Sequence, residues 1–183
     1  MKTIITVIFV GILTYAVAEN PACPNVLRAK PKLDVNNFFK GIWFETHMKD
    51  APNTAVCREY KFEVTSNGIL LTYSGRTSDN KEYSVTCSCT NPSTSFLFKC
   101  AQTYRSGLSN RKTNMFFTLI LTVVETDYGD YALAHRCMKY DEETSFSGTY
   151  LILQRTKTGD GSKANGILKN HKTDLKIFQK LRC

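Results

Sequence analysis

The side chains that could act as nucleophiles or general bases form no catalytic arrangement in this 183-residue sequence. Its three histidines are His47, His135 and His171, and neither a G-x-S-x-G elbow nor an H-E-x-x-H motif is present. The aspartates and glutamates are scattered, so no pair of carboxylates can be assigned to acid–base catalysis. We therefore expect a binding protein rather than an enzyme, and no metal ion or cofactor.

Cysteines are the other reactive side chains. In an exported chain they are expected to form disulfides, and an odd number leaves one thiol unpaired. The segment Cys87-Ser88-Cys89 has C-x-C spacing rather than the C-x-x-C spacing of redox and zinc motifs, so it does not predict a metal site. The seven cysteines are Cys23, Cys57, Cys87, Cys89, Cys100, Cys137 and Cys183.

The first 18 residues have the features of a secretory signal peptide. Lys2 provides the positive charge, residues 4–12 form an apolar stretch, and Ala16-Val17-Ala18 is a small-x-small cleavage site. Cleavage after Ala18 leaves residues 19–183 as one secreted domain, and the loss of Lys2 lowers the formal charge from +8 to +7. This charge favours anionic partners, although it also promotes solubility. We expect no nucleic-acid partner, and no later stretch is long enough to span a membrane.

Short apolar or alternating segments predict an all-β chain. Turn residues such as Ser66-Asn67-Gly68 and Asn91-Pro92-Ser93 separate these segments. Regular strands joined by tight turns predict an eight-stranded up-and-down antiparallel barrel, which has no free edges and encloses side chains or one small ligand. The predicted strands are 43–48, 60–64, 69–73, 83–89, 95–101, 114–124, 131–140 and 149–154.

Three other segments are predicted outside these strands. Asp34 is expected to cap a helical turn that ends at Phe39, and Ser162 to cap a short C-terminal helix from about Lys163 to Lys169. A long loop is predicted between the fifth and sixth strands.

Three motifs occur in the order of the lipocalin signature: Gly41-Ile42-Trp43, Thr126-Asp127-Tyr128, and Arg155 after the last apolar strand. Together with the cysteine pattern, they make residues 23–183 resemble the triabin-like branch of the lipocalins, from the saliva of blood-feeding triatomine bugs. The resemblance implies a barrel in which Trp43 seals one end, the Thr-Asp-Tyr turn lies nearby, and Arg155 packs over the tryptophan.

The same resemblance implies a set of disulfide pairs. It also shows where a haem-ligating histidine would be expected. The haem-binding nitrophorins have a ligating histidine on a central strand, and the corresponding residues 69–75 contain none, so we expect no haem. Cys100 pairs with Cys87 or Cys89, and its position relative to the Asn91-Pro92 turn favours Cys87. The implied pairs are Cys23–Cys137, Cys57–Cys183 and Cys87–Cys100, with Cys89 free unless it exchanges with Cys87.

Strand alternation then predicts which side chains line the barrel. If Cys137 binds an outer arm and points outward, Arg136 points inward, and similar reasoning from Cys57 and Trp43 gives further inward residues. A buried guanidinium needs a partner, which is either Glu45 or an anionic ligand, unless a bulge turns Arg136 to solvent. The predicted lining residues are Glu45, His47, Arg58, Tyr60, Tyr73, Arg136, Leu151 and Leu153.

Two functions are consistent with these features, and both impair host haemostasis as the resemblance implies. The first is inhibition of platelet aggregation by sequestering a small amphipathic anionic lipid, such as the eicosanoid thromboxane, with Leu151 and Leu153 around its tail. The second is an anticoagulant surface that binds contact-phase factors (factor XII and the kallikrein–kinin pathway) or thrombin. Its candidate residues form a basic cluster, Lys163, Lys169, His171, Lys172 and Lys176.

Overall fold

The computed structural model describes residues 23, 26–77, 79, 81–106 and 109–183, and the predicted signal peptide lies outside them. The chain folds as a closed antiparallel β-barrel of eight strands, with one extra strand and a short C-terminal helix. The prediction of the fold class is therefore confirmed. The strands are β1 (Gly41–Lys49), β2 (Glu59–Thr65), β3 (Gly68–Arg76), β4 (Glu82–Cys89), β5 (Phe96–Ser106), β6 (Ser109–Thr126), β7 (Tyr131–Tyr140), β8 (Ser147–Gln154) and β9 (Phe178–Lys180).

Consecutive strands from β2 to β8 pair as neighbours, and β1 closes the barrel by pairing with both β8 and β2. Only the first half of β1, from Gly41 to Phe44, pairs with β2. Farther along β1, the three-residue strand β9 takes that edge and pairs with His47–Lys49. The sequence did not predict β9, because three residues of mixed polarity give no periodic signal.

The prediction of a long loop between the fifth and sixth strands is wrong. β5 extends to Ser106, β6 begins at Ser109, and these two residues pair with each other. Helix α1 (Val35–Phe38) begins as predicted, because the Asp34 carboxylate accepts a hydrogen bond from the amide of Asn37 at 3.1 Å.

The C-terminal helix differs slightly from the predicted one. Helix α2 (Asn165–Asn170) follows a 3₁₀ turn at Ser162–Ala164. The prediction that Ser162 caps it is wrong, since the Ser162 hydroxyl donates instead to the Asp160 carboxylate at 2.6 Å. A second 3₁₀ turn, Leu175–Ile177, leads into β9.

Apolar side chains form two layers, one inside the barrel and one on its outer wall. The inner layer includes Trp43 and the aromatic side chains above it. The outer layer lies where the C-terminal segment, which includes β9, covers β6, β7 and β8. Its buried members are Val124, Leu133, Ile152, Ala164, Leu168 and Phe178. The C-terminal segment therefore covers one wall of the barrel and leaves the opposite wall bare.

Three disulfides hold the ends of the chain to the barrel. One binds the N-terminal arm to β7, one binds the last residue to the segment before β2, and one links β4 to β5. Cys89 is a buried free thiol, and burial raises its pKa. The pairs are Cys23–Cys137, Cys57–Cys183 and Cys87–Cys100. In the described part of the chain, no helix is long and apolar enough to cross a membrane.

Candidate functional site

One end of the barrel is closed by Trp43 and α1. The indole is fully buried and stacks on Phe38 with ring centroids 5.2 Å apart, and its Nε1 donates a hydrogen bond to the Phe38 carbonyl at 2.8 Å. The guanidinium carbon of Arg155 lies 3.6 Å from the tryptophan ring centroid on the outside. A cation over an indole face is a favourable arrangement, so these side chains form a sealed cap.

Arg155 also binds the backbone around this cap. It donates to the carbonyls of Lys40 and Ile42 at 2.8 and 2.9 Å, and to that of Tyr128 at 3.2 Å. Burial lowers the pKa of Arg155, and the nearby Asp127 partly opposes this effect. The guanidinium thus connects β1 with the β6–β7 turn.

The β6–β7 turn is held by its own side chains. The Asp127 carboxylate accepts hydrogen bonds from the amides of Asp130 and Tyr131 at 2.9 and 3.0 Å. The Thr126 hydroxyl donates to the Tyr131 carbonyl at 2.8 Å and accepts from the amide of Tyr128. These contacts fix the position of the Tyr128 carbonyl that Arg155 binds.

Aromatic rings fill the lumen directly above the closed end. Phe39 lies within 5 Å, centroid to centroid, of both Phe62 and Phe96. Leu151 and Leu153 point inward but have no exposed surface and pack within this core. The prediction that these two leucines surround a ligand tail is therefore wrong, because packed side chains already occupy the space around them.

A network of buried charged groups lies farther toward the open end. The fully buried Glu45 carboxylate accepts a hydrogen bond from Arg136 Nη1 at 2.6 Å and a short one from the Tyr60 hydroxyl. Arg136 also donates to the Tyr60 hydroxyl at 2.7 Å, and Arg58 Nη1 lies 3.3 Å from the carboxylate. Glu45 is thus the partner that the inward Arg136 requires.

The network has one more positive than negative charge. Two guanidinium groups, from Arg58 and Arg136, share the Glu45 carboxylate, and burial raises the pKa of Tyr60, so its hydroxyl stays neutral. Burial alone would lower the pKa of Arg58, but the nearby Glu45 carboxylate outweighs it, so the net shift is upward and Arg58 stays charged. The network therefore has a formal charge of +1.

The open end contains a cavity of about 530 Å³ above this network. Arg58 borders it with 26% of its side chain exposed, whereas Arg136 is 9% exposed and lies deeper. Tyr73 packs its ring against Tyr60 at 5.3 Å behind the network, and its pKa is raised by burial. Of the eight predicted lining residues, Arg58 and Arg136 border this cavity.

Sequence reasoning missed the other walls of the mouth cavity. They come from the end of β1, from the following loop, and from β3, β4, β7 (His135) and β8. Alternation alone does not show how far along the barrel axis a side chain lies. These residues include Met48, Lys49, Pro52, Arg76, Tyr83 and Thr149. The loop residue Pro52 could have been suspected from the sequence, because loops at a barrel mouth commonly contribute to binding sites.

His47 does not face the cavity. The register between β1 and β8 shifts after Glu45, so Thr46 is an extra residue and His47 lies opposite Ile152 of the outer layer. Its Nδ1 is 2.9 Å from the Thr46 hydroxyl, and Gly161 packs against its ring. The prediction that His47 lines the lumen is therefore wrong, because a bulge reverses the alternation.

A closed eight-stranded barrel with a Trp–Arg cap at one end and a mouth cavity at the other is a lipocalin. Among solved structures, the leukotriene C4 complex of LTBP1 superimposes with a TM-score of 0.63 at 26% identity, covering 85% of this chain and 90% of that one. The sequence model described as Triabin matches residues 20–167, and this chain belongs to the triabin family.

Two curated relatives come from the bug Triatoma infestans. Triafestin-1 is 33% identical over 85% of this chain and 79% of its own length. Platelet inhibitor triplatin-2 is 32% identical over 87% of this chain and 85% of its own length. The resemblance to the triabin-like salivary branch is thus confirmed. Of the structural neighbours, LTBP1 is a protein that was solved with a bound small ligand, leukotriene C4.

Proposed function

We propose that this chain is a secreted salivary lipocalin that impairs host haemostasis by sequestering a small anionic platelet agonist in its mouth cavity. The ligand class is an eicosanoid carboxylate such as thromboxane. The observation that carries the proposal is the partly exposed guanidinium of Arg58 at the base of the cavity, in a network with a formal charge of +1.

The charge balance supports an anionic ligand. Glu45 bonds closely to Arg136 and contacts Arg58 at the longer distance of 3.3 Å, so Arg58 keeps donors for another acceptor. A ligand carboxylate can take two parallel hydrogen bonds from one guanidinium, and such charge-assisted pairs are stronger than neutral ones. The ligand would thereby complete the neutralisation of the network.

The packed lumen determines where the lipid tail would lie. Phe39, Phe62 and Phe98 fill the space below the network, so the tail cannot reach the closed end. A cavity of about 530 Å³ is within the usual size range for small-ligand sites, and Met48 and Tyr83 provide apolar surface in its wall. The carboxylate would therefore point inward and the tail would remain near the mouth.

Two relatives support the proposal by what their names state. LTBP1 binds leukotriene C4, which is an eicosanoid, and triplatin-2 is called a platelet inhibitor. A carrier of this kind acts by sequestration, without chemistry on the ligand. The protein would have to outnumber the agonist and bind it more tightly than the host receptor does.

Calorimetric titration tests the proposal. We expect one site with a sub-micromolar dissociation constant for at least one of a stable thromboxane analogue, leukotriene C4 and arachidonate. Arg58→Ala should weaken that binding about 10- to 100-fold, because charged hydrogen bonds contribute about 1.5–3 kcal/mol each. Lys99→Ala, on the exposed outer wall, is the matched control and should bind like the parent. Flat titrations with the whole panel would reject the proposal.

The exposed C-terminal cations support a second candidate function, an anticoagulant surface for contact-phase factors or thrombin. Lys169, Lys172 and Lys176 are exposed, whereas Lys163 of the same cluster is paired with Asp130 at 2.6 Å. This candidate predicts prolonged plasma clotting when clotting starts on an anionic surface, or when thrombin is added, in combination with flat ligand titrations. Normal clotting in both assays would reject it.

A further inference from the structure

The C-terminal segment, residues 156–183, concentrates the positive charge of this protein. It contains seven Lys and Arg side chains and two aspartates, a net charge of +5, whereas the whole sequence has +8. The Cys57–Cys183 disulfide and β9 hold the segment on the outer wall of the barrel. We call it the basic segment. It lies outside the mouth cavity and has no part in the ligand site proposed above.

The packing of the basic segment turns its apolar side chains inward. Leu168 and Phe178 are buried in the outer layer, against which Leu175 packs, and Leu181 is buried in the inner layer. Between Leu175 and Leu181, the exposed residues are Lys176, Ile177, Gln179 and Lys180. The residues between them therefore face away from the barrel.

Within the described part of the chain, several lysines on this outward side have no acidic partner. Among the described residues, no carboxylate oxygen lies within 4.0 Å of the ammonium nitrogen of Lys169, Lys172 or Lys176. By contrast, Lys157 and Lys163 of the same segment are paired with Glu59 and Asp130, at 3.3 and 2.6 Å. The positive charge of the three lysines is thus available to an external partner.

Two further features occur on this surface beside the lysines. Ile177 is 45% exposed beside Lys176, on a segment whose other large apolar residues pack inward. Lys172 has φ of 54°, a left-handed conformation that glycine or asparagine would adopt with less strain after a helix. Ile177 therefore lies on the same outward side as the lysines, where an apolar contact and a charge contact can be made with one partner.

We propose that the basic segment docks the protein on bilayers that contain anionic phospholipid. Lys169, Lys172 and Lys176 would lie over the headgroups, and Ile177 would enter the interface between headgroups and acyl chains. Basic clusters are attracted to anionic leaflets, and apolar side chains strengthen such binding by partial burial. A sulfated polysaccharide would engage the lysines equally well but would leave Ile177 in water, so the lipid surface accounts for more of the structure.

Vesicle sedimentation with the full secreted chain tests this proposal. We expect binding to phosphatidylcholine vesicles that contain about 30% phosphatidylserine, little binding to pure phosphatidylcholine, and weaker binding as salt is raised. Replacing Lys169, Lys172 and Lys176 together with alanine should reduce the affinity on the order of 100-fold, because each lysine near an anionic surface contributes about fivefold. Ile177→Ser should reduce it by about fivefold.

A matched triple variant controls for net charge. Lys40, Lys81 and Lys99 are exposed and lie outside the basic segment, so replacing them with alanine removes the same charge and should reduce the affinity much less. Circular dichroism and the melting temperature establish that both triple variants are folded. No binding to phosphatidylserine vesicles at low salt, or equal losses in the two triple variants, would overturn the proposal. Retention on heparin together with an unchanged Ile177→Ser affinity for vesicles would also overturn it in favour of a polysaccharide.

Discussion

The two ends of this barrel use the same side chain in opposite ways. At the closed end, Arg155 covers Trp43 and donates its hydrogen bonds to backbone carbonyls of its own chain. At the mouth, Arg58 and Arg136 share one carboxylate, and Arg58 remains partly exposed beside a cavity. The first arrangement is complete within the protein, and the second has one positive charge in excess.

This difference indicates that stability and binding are concentrated in different parts of the lumen. Close-packed apolar side chains stabilise a fold through transfer from water and through tight contact. Buried ion pairs contribute less, since removing charges from water offsets much of their attraction. The polar network is thus expected to act mainly in ligand binding, although removing one of its members still carries a large cost.

The largest effect is expected at the closed end. Trp43→Ala removes a fully buried indole and leaves Phe38 and Arg155 without their packing partner. We expect the free energy of unfolding to fall by about 3–5 kcal/mol, as for other large buried aromatic side chains. Urea unfolding of the oxidised protein measures the change. Ile42→Ala, at a neighbouring position that is 36% exposed, should cost less than about 1 kcal/mol.

Ligand affinity provides the stricter test of the separation between the ends. Trp43→Ala, measured where it is still folded, should bind the eicosanoid within about threefold of the parent. A loss of affinity comparable to that of Arg58→Ala would show that the closed end also shapes the mouth site. Stability and ligand binding would then not be separated between the two ends.

Glu45→Gln is expected to have the next largest effect. It removes the carboxylate that balances two guanidinium groups, so the unfolding free energy should fall by about 3 kcal/mol, a typical cost of breaking a buried ion pair. An anionic ligand should bind more tightly to this variant, because it would then face two uncompensated positive charges. Calorimetry and urea unfolding together measure both effects.

The exposed Glu63 on β2 provides the control for Glu45. Glu63→Gln should change neither stability, within about 0.5 kcal/mol, nor affinity. Weaker ligand binding in Glu45→Gln than in the parent would contradict the role given to the excess positive charge.

The sequence predicted the barrel because its strands are short, alternating and separated by turn residues. It also predicted that Arg136 lies inside, since one outward cysteine fixes the direction of the adjacent side chain. The same rule failed for His47, because the bulge at Thr46 has no distinct sequence signal and reverses every side chain beyond it.

The contents of the lumen were harder to predict than its walls. Leu151 and Leu153 point inward as predicted, but alternation does not show whether inward side chains meet each other or enclose a space. That outcome depends on how the rings of Phe39 and Phe62 pack across the barrel, which involves contacts between residues far apart in sequence. The covering of one wall by β9 was missed for the same reason.

The smallest predicted effect is a change of stability with pH that arises at the outer wall. It bears on the comparison of the two ends because, among the described residues, no histidine points into the lumen. Burial lowers the pKa of His47, as does the nearby Lys180, and burial lowers the pKa of His135, which packs on Tyr150. Well above pH 6.5 both histidines are neutral whether the chain is folded or unfolded. As the pH falls below 6.5, the unfolded chain takes up protons first, so stability is lost until the folded-state pKa values are passed.

We therefore expect the unfolding free energy to decrease between pH 6.5 and 5 by at most about 1.4 kcal/mol per pH unit for each histidine. The double variant His47→Gln, His135→Gln should show a flatter profile, and each single variant should lie between the double variant and the parent. Urea unfolding at closely spaced pH values measures these slopes. His47 does not border the mouth cavity, but His135 does, so the affinity is measured in the double variant, which lacks both imidazoles. Its eicosanoid affinity should stay constant over the same range while the protein is folded. A parallel loss of affinity, or an unchanged slope in the double variant, would show that the acid-sensitive groups lie in the lumen instead.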